Sequence, residues 1–177
     1  NTAAKKIGRL NATYHQAMAG VERIFDILNE VPDLMDAPNA LVLEGIDGRV
    51  EFKNVEFSYQ TGEQVLNGIS FSMEPGKVVA AVGPSGAGKS TIANLIPRFY
   101  DVSGGAVLVE GHDVREVSMQ SLRKHIGIVP QETILFSGTI RDNIAYGKPN
   151  ATDEEVEQAA RAANAHDFIT QFEDGYK

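Results

Sequence analysis

Apolar residues recur at spacings of three and four through the first 28 residues and predict one long amphipathic helix. The repeat consists of Ile7, Leu10, Tyr14, Met18, Val21, Ile24, Phe25 and Leu28. No proline interrupts it before Pro32, and residues 33–39 then have the composition of a linker. Two interpretations remain open: a helix packed on its own domain, or the end of an inter-domain or membrane-proximal helix. Lys5, Lys6 and Arg9 would suit the cytosolic end of a membrane helix.

From Val50 onward the pattern changes to that of short strands. Val50, Phe52, Val55 and Phe57 alternate with polar residues, and a break in the alternation near residues 53–54 indicates a bulge. Further strands are predicted over residues 65–66, 69–73, 106–109 and 126–129, with a turn at 74–76. Residues 78–82 form an apolar run without alternation, which is typical of a strand buried on both faces of a parallel sheet.

Helical patterns alternate with these strands. We predict helices over residues 92–96 and 118–124, and a last one from Thr152 to about Phe172. The tract from Thr152 to Glu155 has the spacing of a capping box, in which the first side chain and the fourth cap each other's backbone. The alternation of strand and helix after Val78 predicts an α/β sheet.

Composition excludes several classes of function. The formal net charge of −8 argues against a surface that neutralises nucleic-acid phosphates, so no nucleic-acid partner is expected. The sequence contains no cysteine, which excludes disulfides and thiolate metal sites. No apolar run reaches the 18 or so residues needed to span a bilayer, and the first residues do not resemble a signal peptide. We therefore expect the chain as given to be soluble.

The chemistry is concentrated in residues 83–91, which we call the P-loop. Its first eight residues match the pattern G-x-x-x-x-G-K-[ST], and they are Gly83, Pro84, Ser85, Gly86, Ala87, Gly88, Lys89 and Ser90. Glycines permit positive φ and close approach of the backbone, so that N–H groups from Gly83, Ser85, Gly86 and Gly88 onward can surround an anion at a helix N-terminus.

The last three residues of the P-loop have separate predicted roles. Lys89 would reach the β- and γ-phosphates of ATP, and the Ser90 hydroxyl would coordinate Mg²⁺. Thr91 would add a donor for the α-phosphate. The motif follows the most strand-like apolar run and precedes a predicted helix, which is the context that the motif requires. We therefore predict a phosphate-binding site rather than an ordinary glycine turn.

Four tracts flank the P-loop: VEFKNVEFSY at 50–59, VLNGISF at 65–71, EPGK at 74–77 and GIVPQE at 127–132. Together with the P-loop, these tracts strongly resemble the nucleotide-binding domain of ABC transporters. The tract LFSGTIRDNI at 135–144 is similar to the exporter branch. The resemblance covers residues 41–177, and VERIFDIL at 21–28 is similar to the cytosolic end of an exporter's last membrane helix.

This resemblance implies a fold and further site residues. The expected fold is an α/β P-loop NTPase sheet with an antiparallel β-subdomain, preceded by a long helix and incomplete at the C-terminus. Residues 1–40 would be a linker helix and linker from a transmembrane domain, and residues 41–177 the first part of the cassette. Tyr59 would stack on adenine, and Gln131 would contact Mg²⁺ or the attacking water and sense the membrane domain. His112 and His125 are expected to be surface or structural residues.

The family's signature tract, its Walker B strand and its switch histidine do not occur after Gln131. We therefore expect this chain to bind ATP and Mg²⁺ but not to hydrolyse ATP alone, and to be unstable or to associate. The parent would be an ATPase on the cytoplasmic face of a membrane, paired with a second ABC domain and attached to its own transmembrane domain. Contact with the membrane would be made only through upstream helices.

Two alternatives remain open from the sequence. One is a soluble ABC-type ATPase without a membrane domain, and the other is a nucleotide-binding regulator that hydrolyses nothing. A P-loop kinase is a more distant alternative, because the tracts around Tyr59 and Gln131 do not belong to that class. The cargo is not encoded in these residues.

Overall fold

The chain begins with the predicted long helix, α1, which spans Thr2–Leu28. The computed structural model describes residues 2–59 and 62–177, and within α1 the side chains of residues 6, 8, 14–18 and 20–28. All of these α1 side chains are exposed, including those of Ile24 and Phe25. The described part of α1 is therefore not packed on its own domain. Lys5, Ile7, Arg9 and Leu10 of the predicted pattern lie outside the described side chains.

The chain divides into two compact units, residues 1–127 and residues 128–177. The first unit contains a four-stranded antiparallel sheet in the order β2-β1-β3-β4. Its strands are β1 (Val50–Ser58), β2 (Gln64–Met73), β3 (Gly104–Val109) and β4 (His112–Asp113). Besides α1, this unit contains the helices α2 (Lys89–Leu95) and α3 (Met119–Arg123). The strands predicted over 65–66 and 69–73 are both part of β2, and the strand predicted over 106–109 is confirmed as β3. The helices predicted over 92–96 and 118–124 are confirmed as α2 and α3.

The predicted bulge in β1 is also confirmed. The pairing of β1 shifts register between Phe52 and Val55 on one side and after Lys53 on the other. Asn54 lies at the shift with φ +46°, a left-handed conformation that asparagine tolerates better than most residues. The neighbouring strand accommodates this bulge with Gly105, because a Cβ there would lie 2.1 Å from the Asn54 carbonyl oxygen. The bulge thus restricts Gly105 to glycine.

One hydrophobic core stabilises the first unit. The inward positions of the alternating strands contribute to it together with residues of α2 and α3. Its largest fully buried side chains are Phe52, Leu95, Leu122, Val55 and Val107, with Pro97 and Val117. Leu95 therefore packs α2, the helix that follows the P-loop, into the same core as the sheet.

Two of the predicted strands are wrong. Residues 78–82 and 126–129 are irregular, and they pair with no strand among the described residues. Val78, Val82 and Val129 are 100%, 92% and 98% exposed instead of buried. An apolar run becomes a buried strand only if neighbouring strands and covering layers supply its hydrogen bonds and contacts. The described residues supply neither for these two segments, so that the parallel sheet predicted there does not form among them.

The second unit is helical, with α4 (Ile140–Ile144), a 3₁₀ turn (Ala145–Gly147), α5 (Asp153–Ala162) and α6 (His166–Ile169). The predicted capping box at Thr152 is confirmed by reciprocal hydrogen bonds with Glu155. A single helix to Phe172 is wrong, because Asn164 has φ +54° and ends α5. Asparagine commonly takes this left-handed position after a helix, and the chain then restarts as α6.

Candidate nucleotide-binding site

The P-loop has the backbone that its glycines predict. Gly86 and Gly88 both have φ +81°, a region that residues with a Cβ rarely adopt, and α2 begins directly afterwards at Lys89. The backbone N–H groups of Ser85, Gly86 and Gly88 make no hydrogen bond to any described residue. These N–H groups and the positive end of α2 are the donors that phosphate oxygens require.

Strand β2 supports the P-loop from one side. A Cβ at Gly88 would lie 2.7 Å from Leu66 Cδ2 and 3.3 Å from Val65 Cγ1, whereas one at Gly86 would have no atom within 4 Å. Gly88 is buried and Gly86 is exposed, so the two glycines serve different purposes. Gly86 supplies only a turn, while Gly88 also allows the loop to approach β2.

Lys89 and Ser90 occupy the first turn of α2. The Lys89 ammonium donates hydrogen bonds to the carbonyl oxygens of Gly83 (3.0 Å) and Pro84 (2.7 Å), so its side chain lies across the loop. Ser90 is exposed, and its hydroxyl oxygen is the kind of ligand that Mg²⁺ prefers. These residues fit a nucleoside triphosphate with Mg²⁺, because the Lys89 ammonium and the N–H groups without a partner among the described residues lie on the same short loop. The phosphates would bring negative charge, which Lys89 and the metal together would neutralise.

Tyr59 and Thr91 are brought together, although they are 32 positions apart. The Tyr59 hydroxyl lies 3.0 Å from Thr91 Oγ1, and the Thr91 side chain is buried. The Tyr59 ring contacts Phe57 and Tyr100 edge to face, at centroid distances of 4.8 Å and 5.3 Å. Tyr59 therefore has a fixed orientation beside the P-loop helix.

A cleft of about 740 Å³ adjoins Tyr59. Its walls include the aromatic rings of Phe57, Tyr59, Phe99 and Tyr100. No motif in the sequence indicates Tyr100, whose only signal is its position in the aromatic pair after Pro97 and Arg98. His112 and His125 are exposed, as the sequence predicts for surface residues, and His125 Nδ1 lies 2.9 Å from the Ser121 carbonyl oxygen.

Gln131 lies in the second unit, in an irregular and exposed segment. The segment that follows is held by Asn143, which the sequence analysis did not single out. The Asn143 side chain accepts from the Phe136 N–H (2.8 Å) and donates to the Phe136 carbonyl (3.0 Å). Phe136 in turn stacks on Tyr146, with ring centroids 4.2 Å apart and planes 11° from parallel.

The start of α4 is held by a second capping box. The Thr139 hydroxyl accepts from the Asp142 N–H, and the Asp142 carboxylate accepts from the Thr139 N–H. This bond from the Thr139 N–H is the main reason that the pKa of Asp142 lies below its ordinary value. The Asp142 carboxylate is therefore ionised at neutral pH and caps the start of α4. We do not assign it to the candidate site.

Comparison with known proteins agrees with this geometry. The ABC transporter family profile matches residues 66–175. An ATP-dependent lipid A-core flippase from Syntrophus aciditrophicus is 49% identical over 172 residues, which is 97% of this chain and 28% of the flippase. The human ATP-binding cassette sub-family B member 6 is 50% identical over 157 residues, or 89% of this chain and 19% of that protein.

A solved structure is similar as well. The structure of a bacterial Atm1-family ABC exporter with ATP bound has a TM-score of 0.85 and 42% sequence identity, and the match covers 97% of this chain and 30% of that chain. The chain thus spans less than one third of the length of these relatives.

A left-handed glycine loop that opens a helix with Lys89 and Ser90 defines a P-loop nucleotide-binding protein. The antiparallel subdomain beside it and the preceding long helix narrow the class to the fold of ABC ATPases. The chain belongs to the ABC transporter family. No helix among the described residues is long and apolar enough to cross a membrane.

Proposed function

We propose that this chain is the ATP-binding part of an exporter whose full-length parent hydrolyses ATP to drive transport across a membrane. The observation that carries the proposal is the P-loop, in which two left-handed glycines, the Lys89 ammonium and the exposed Ser90 lie at one helix terminus. Residues 1–40 are the linker helix and linker, and residues 41–177 are the first part of the cassette. The parent places this cassette on the cytoplasmic face of the membrane.

The proposed ATP site assigns one role to each residue. N–H groups of Gly83, Ser85, Gly86 and Gly88 bind the phosphates, and Lys89 exchanges its two loop carbonyls for β- and γ-phosphate oxygens. Ser90 supplies an oxygen ligand to Mg²⁺, and Thr91 supports the α-phosphate. The role of Gln131 stays a prediction from the sequence resemblance. The Tyr59 ring stacks on adenine, which its contacts with Phe57 and Tyr100 favour because they fix its orientation.

Hydrolysis belongs to the parent rather than to these 177 residues. In-line attack on the γ-phosphate needs a positioned water and a catalytic base in addition to Lys89 and the metal. We expect the second ABC domain of a dimer and further residues of the parent to complete the site. The 177 residues on their own bind nucleotide without turnover.

The apolar face of α1 supports a membrane partner. Its described apolar side chains, Ile24, Phe25, Ile27 and Leu28 among them, are exposed, which favours a continuation into a transmembrane domain over a soluble ATPase.

The test is Mg²⁺-dependent binding of a fluorescent ATP analogue and release of phosphate, measured on the parent and on the 177-residue chain. A Lys89→Ala variant is compared with Lys77→Ala, a lysine outside the P-loop. We expect Lys89→Ala to lose turnover in the parent and to weaken binding in both proteins, while Lys77→Ala changes neither. Turnover by the 177-residue chain that disappears in Lys89→Ala would contradict the proposal that hydrolysis needs the rest of the parent. Equal nucleotide binding by all variants would contradict the proposed ATP site at Lys89.

A further inference from the structure

Arg98 occupies an unusual position at the end of the P-loop helix. Its N–H donates to the Leu95 carbonyl and the Phe99 N–H donates to the Asn94 carbonyl, which is the Schellman arrangement of a helix C-terminus. The residue in the left-handed position of this motif is usually glycine, yet here it is Arg98, with φ +53°. A residue with a Cβ costs roughly 1–2 kcal/mol in this conformation, so other contacts must hold Arg98 there.

These contacts come from the side chain of Arg98, a residue that is only 5% exposed. Its guanidinium binds both carboxylate oxygens of Asp101, at 2.8 Å and 3.1 Å. It also donates to the carbonyl oxygens of Arg115 and Met35, each at 3.4 Å. Met35 belongs to the linker, which we define as residues 33–40. Arg98 thus reaches from the end of α2 to the segment that leads to α1.

The backbone of Arg98 is held independently. Arg123 of α3 donates to the Pro97 carbonyl (2.9 Å) and the Arg98 carbonyl (2.7 Å). These bonds fix two carbonyls of the turn that directly follows α2, and Pro97 itself is fully buried. The guanidinium of Arg98 therefore projects from a rigid helix end rather than from a loop.

The linker has its own attachments to α3. The Met119 N–H donates to the Asp36 carboxylate (2.9 Å). Leu41, just after the linker, exchanges backbone hydrogen bonds with Glu116 and Ser118, both at 2.8 Å. These bonds would hold the linker on the unit even if Arg98 were absent, but none of them reaches α2.

We propose that Arg98 is a positioning residue that couples the linker to the phosphate-binding helix, so that the linker and α2 open as one cooperative unit. The proposal rests on the function proposed above, because α2 is the helix whose first turn holds ATP. Its seven residues, followed by Ile96 and Pro97, form a short path from Lys89 to Arg98. A linker joined to this path is a stiff junction between the nucleotide site and α1.

A measurable consequence follows from ligand linkage. Nucleotide suppresses every local opening that disrupts its site, by up to about 100-fold at 100 times Kd, and leaves other openings unchanged. If the linker opens together with α2, its amides exchange more slowly with ATP bound. If the linker opens independently of α2, nucleotide has no effect on its exchange.

The experiment is hydrogen–deuterium exchange on the full-length parent, with and without a saturating, non-hydrolysed ATP analogue and Mg²⁺. We expect nucleotide to slow exchange in peptides that cover the linker and Leu41 by about tenfold or more in the wild type. Arg98→Lys keeps the charge but loses the planar fork that joins Asp101 to Met35. In this variant we expect the linker response to fall below about twofold, with nucleotide affinity within about threefold of wild type.

Two matched variants separate coupling from simple stabilisation. Asp36→Ala removes the Met119 bond but leaves Arg98 intact, so we expect faster linker exchange in both states and an unchanged nucleotide response. Arg49→Lys alters an exposed arginine that pairs with Glu74 at 2.8 Å, and we expect it to behave as wild type. If Arg98→Lys does not fold, Asp101→Asn replaces it, since it removes the charge that orients the Arg98 guanidinium, and a partial loss of the linker response is expected.

The outcomes distinguish this proposal from the proposed function. If the wild type binds the analogue but its linker does not respond, or if Arg98→Lys retains the full response, the coupling role is overturned and the ATP site stands. A merely structural Arg98 would raise exchange in β1 and β3 as much as in the linker and leave the nucleotide response intact, which also overturns the proposal. Failure of the wild type to bind nucleotide would overturn both.

Discussion

The two left-handed glycines of the P-loop allow a direct test of how β2 supports nucleotide binding. Gly86 and Gly88 have the same φ of +81°, so an alanine at either position pays the same backbone cost of roughly 1–2 kcal/mol. Only the Gly88 Cβ would meet a neighbour, at 2.7 Å from Leu66 Cδ2. Gly86→Ala is therefore the matched control for Gly88→Ala.

The expected magnitudes follow from these distances. In Gly86→Ala the P-loop must adopt an unfavourable backbone for binding, which weakens ATP affinity by roughly 5- to 30-fold. In Gly88→Ala the buried Leu66 must also shift, and overpacking of this kind costs about 1–3 kcal/mol more. Gly88→Ala should therefore bind ATP about 5- to 150-fold more weakly than Gly86→Ala.

The assay is an equilibrium titration of the parent protein with a fluorescent ATP analogue and Mg²⁺, after circular dichroism has shown that each variant is folded. Equal affinities of the two variants would refute the claim that contact with Leu66 constrains the loop. Wild-type affinity in Gly86→Ala would go further, since it would mean that the left-handed loop is not the conformation that binds phosphate.

Three further predictions concern the stacking of adenine on Tyr59, the packing of the β1 bulge against Gly105, and the stability of the protein in acid. Tyr59→Ala should weaken ATP binding by about 1–3 kcal/mol, because it removes the ring that stacks on adenine. Tyr59→Phe keeps the ring and loses only the bond to Thr91, so its ATP affinity should stay within about threefold of wild type. Equal losses of affinity in titrations of both variants would argue against stacking. Gly105→Ala should lower the free energy of unfolding by about 3 kcal/mol or more in urea denaturation, because its Cβ would lie 2.1 Å from a backbone oxygen that cannot move away. Gly111→Ala is the control, since Gly111 is also left-handed but has open space around it. A loss of stability in Gly105→Ala no larger than in Gly111→Ala would contradict the predicted clash. Burial raises the pKa of Asp113, but hydrogen bonds and charge from Arg115 outweigh it and leave the pKa below its ordinary value. The stabilising effect of the Asp113 carboxylate is therefore present above the unfolded pKa of about 3.9 and is lost as pH falls through the folded pKa. We expect the difference in unfolding free energy between wild type and Asp113→Asn, measured by denaturant titration, to be full at pH 7 and to shrink in strong acid. A difference independent of pH would refute the stabilising role of the ionised Asp113.

Much of the candidate site could be predicted from the sequence because it is local. The P-loop is nine consecutive residues whose glycines permit positive φ because they lack a Cβ, and both Gly86 and Gly88 have φ +81°. The capping box at Thr152 and the bulge near Asn54 are likewise encoded within a few positions. These features depend on intrinsic backbone preference and on side chains that hydrogen-bond to their own neighbourhood.

The remaining features depend on partners that are distant in the sequence. Residues 78–82 have the composition of a buried strand, but a strand requires another strand beside it, and the described residues provide none. The pairing of Tyr59 with Thr91 and the reach of Arg98 to Met35 join segments 32 and 63 positions apart, and no local pattern signals either contact. The sequence by itself determined the left-handed backbone of the P-loop and where most helices and strands begin. Only the tertiary structure decided which side chains support that loop, because burial and long-range hydrogen bonds exist only once the chain has folded.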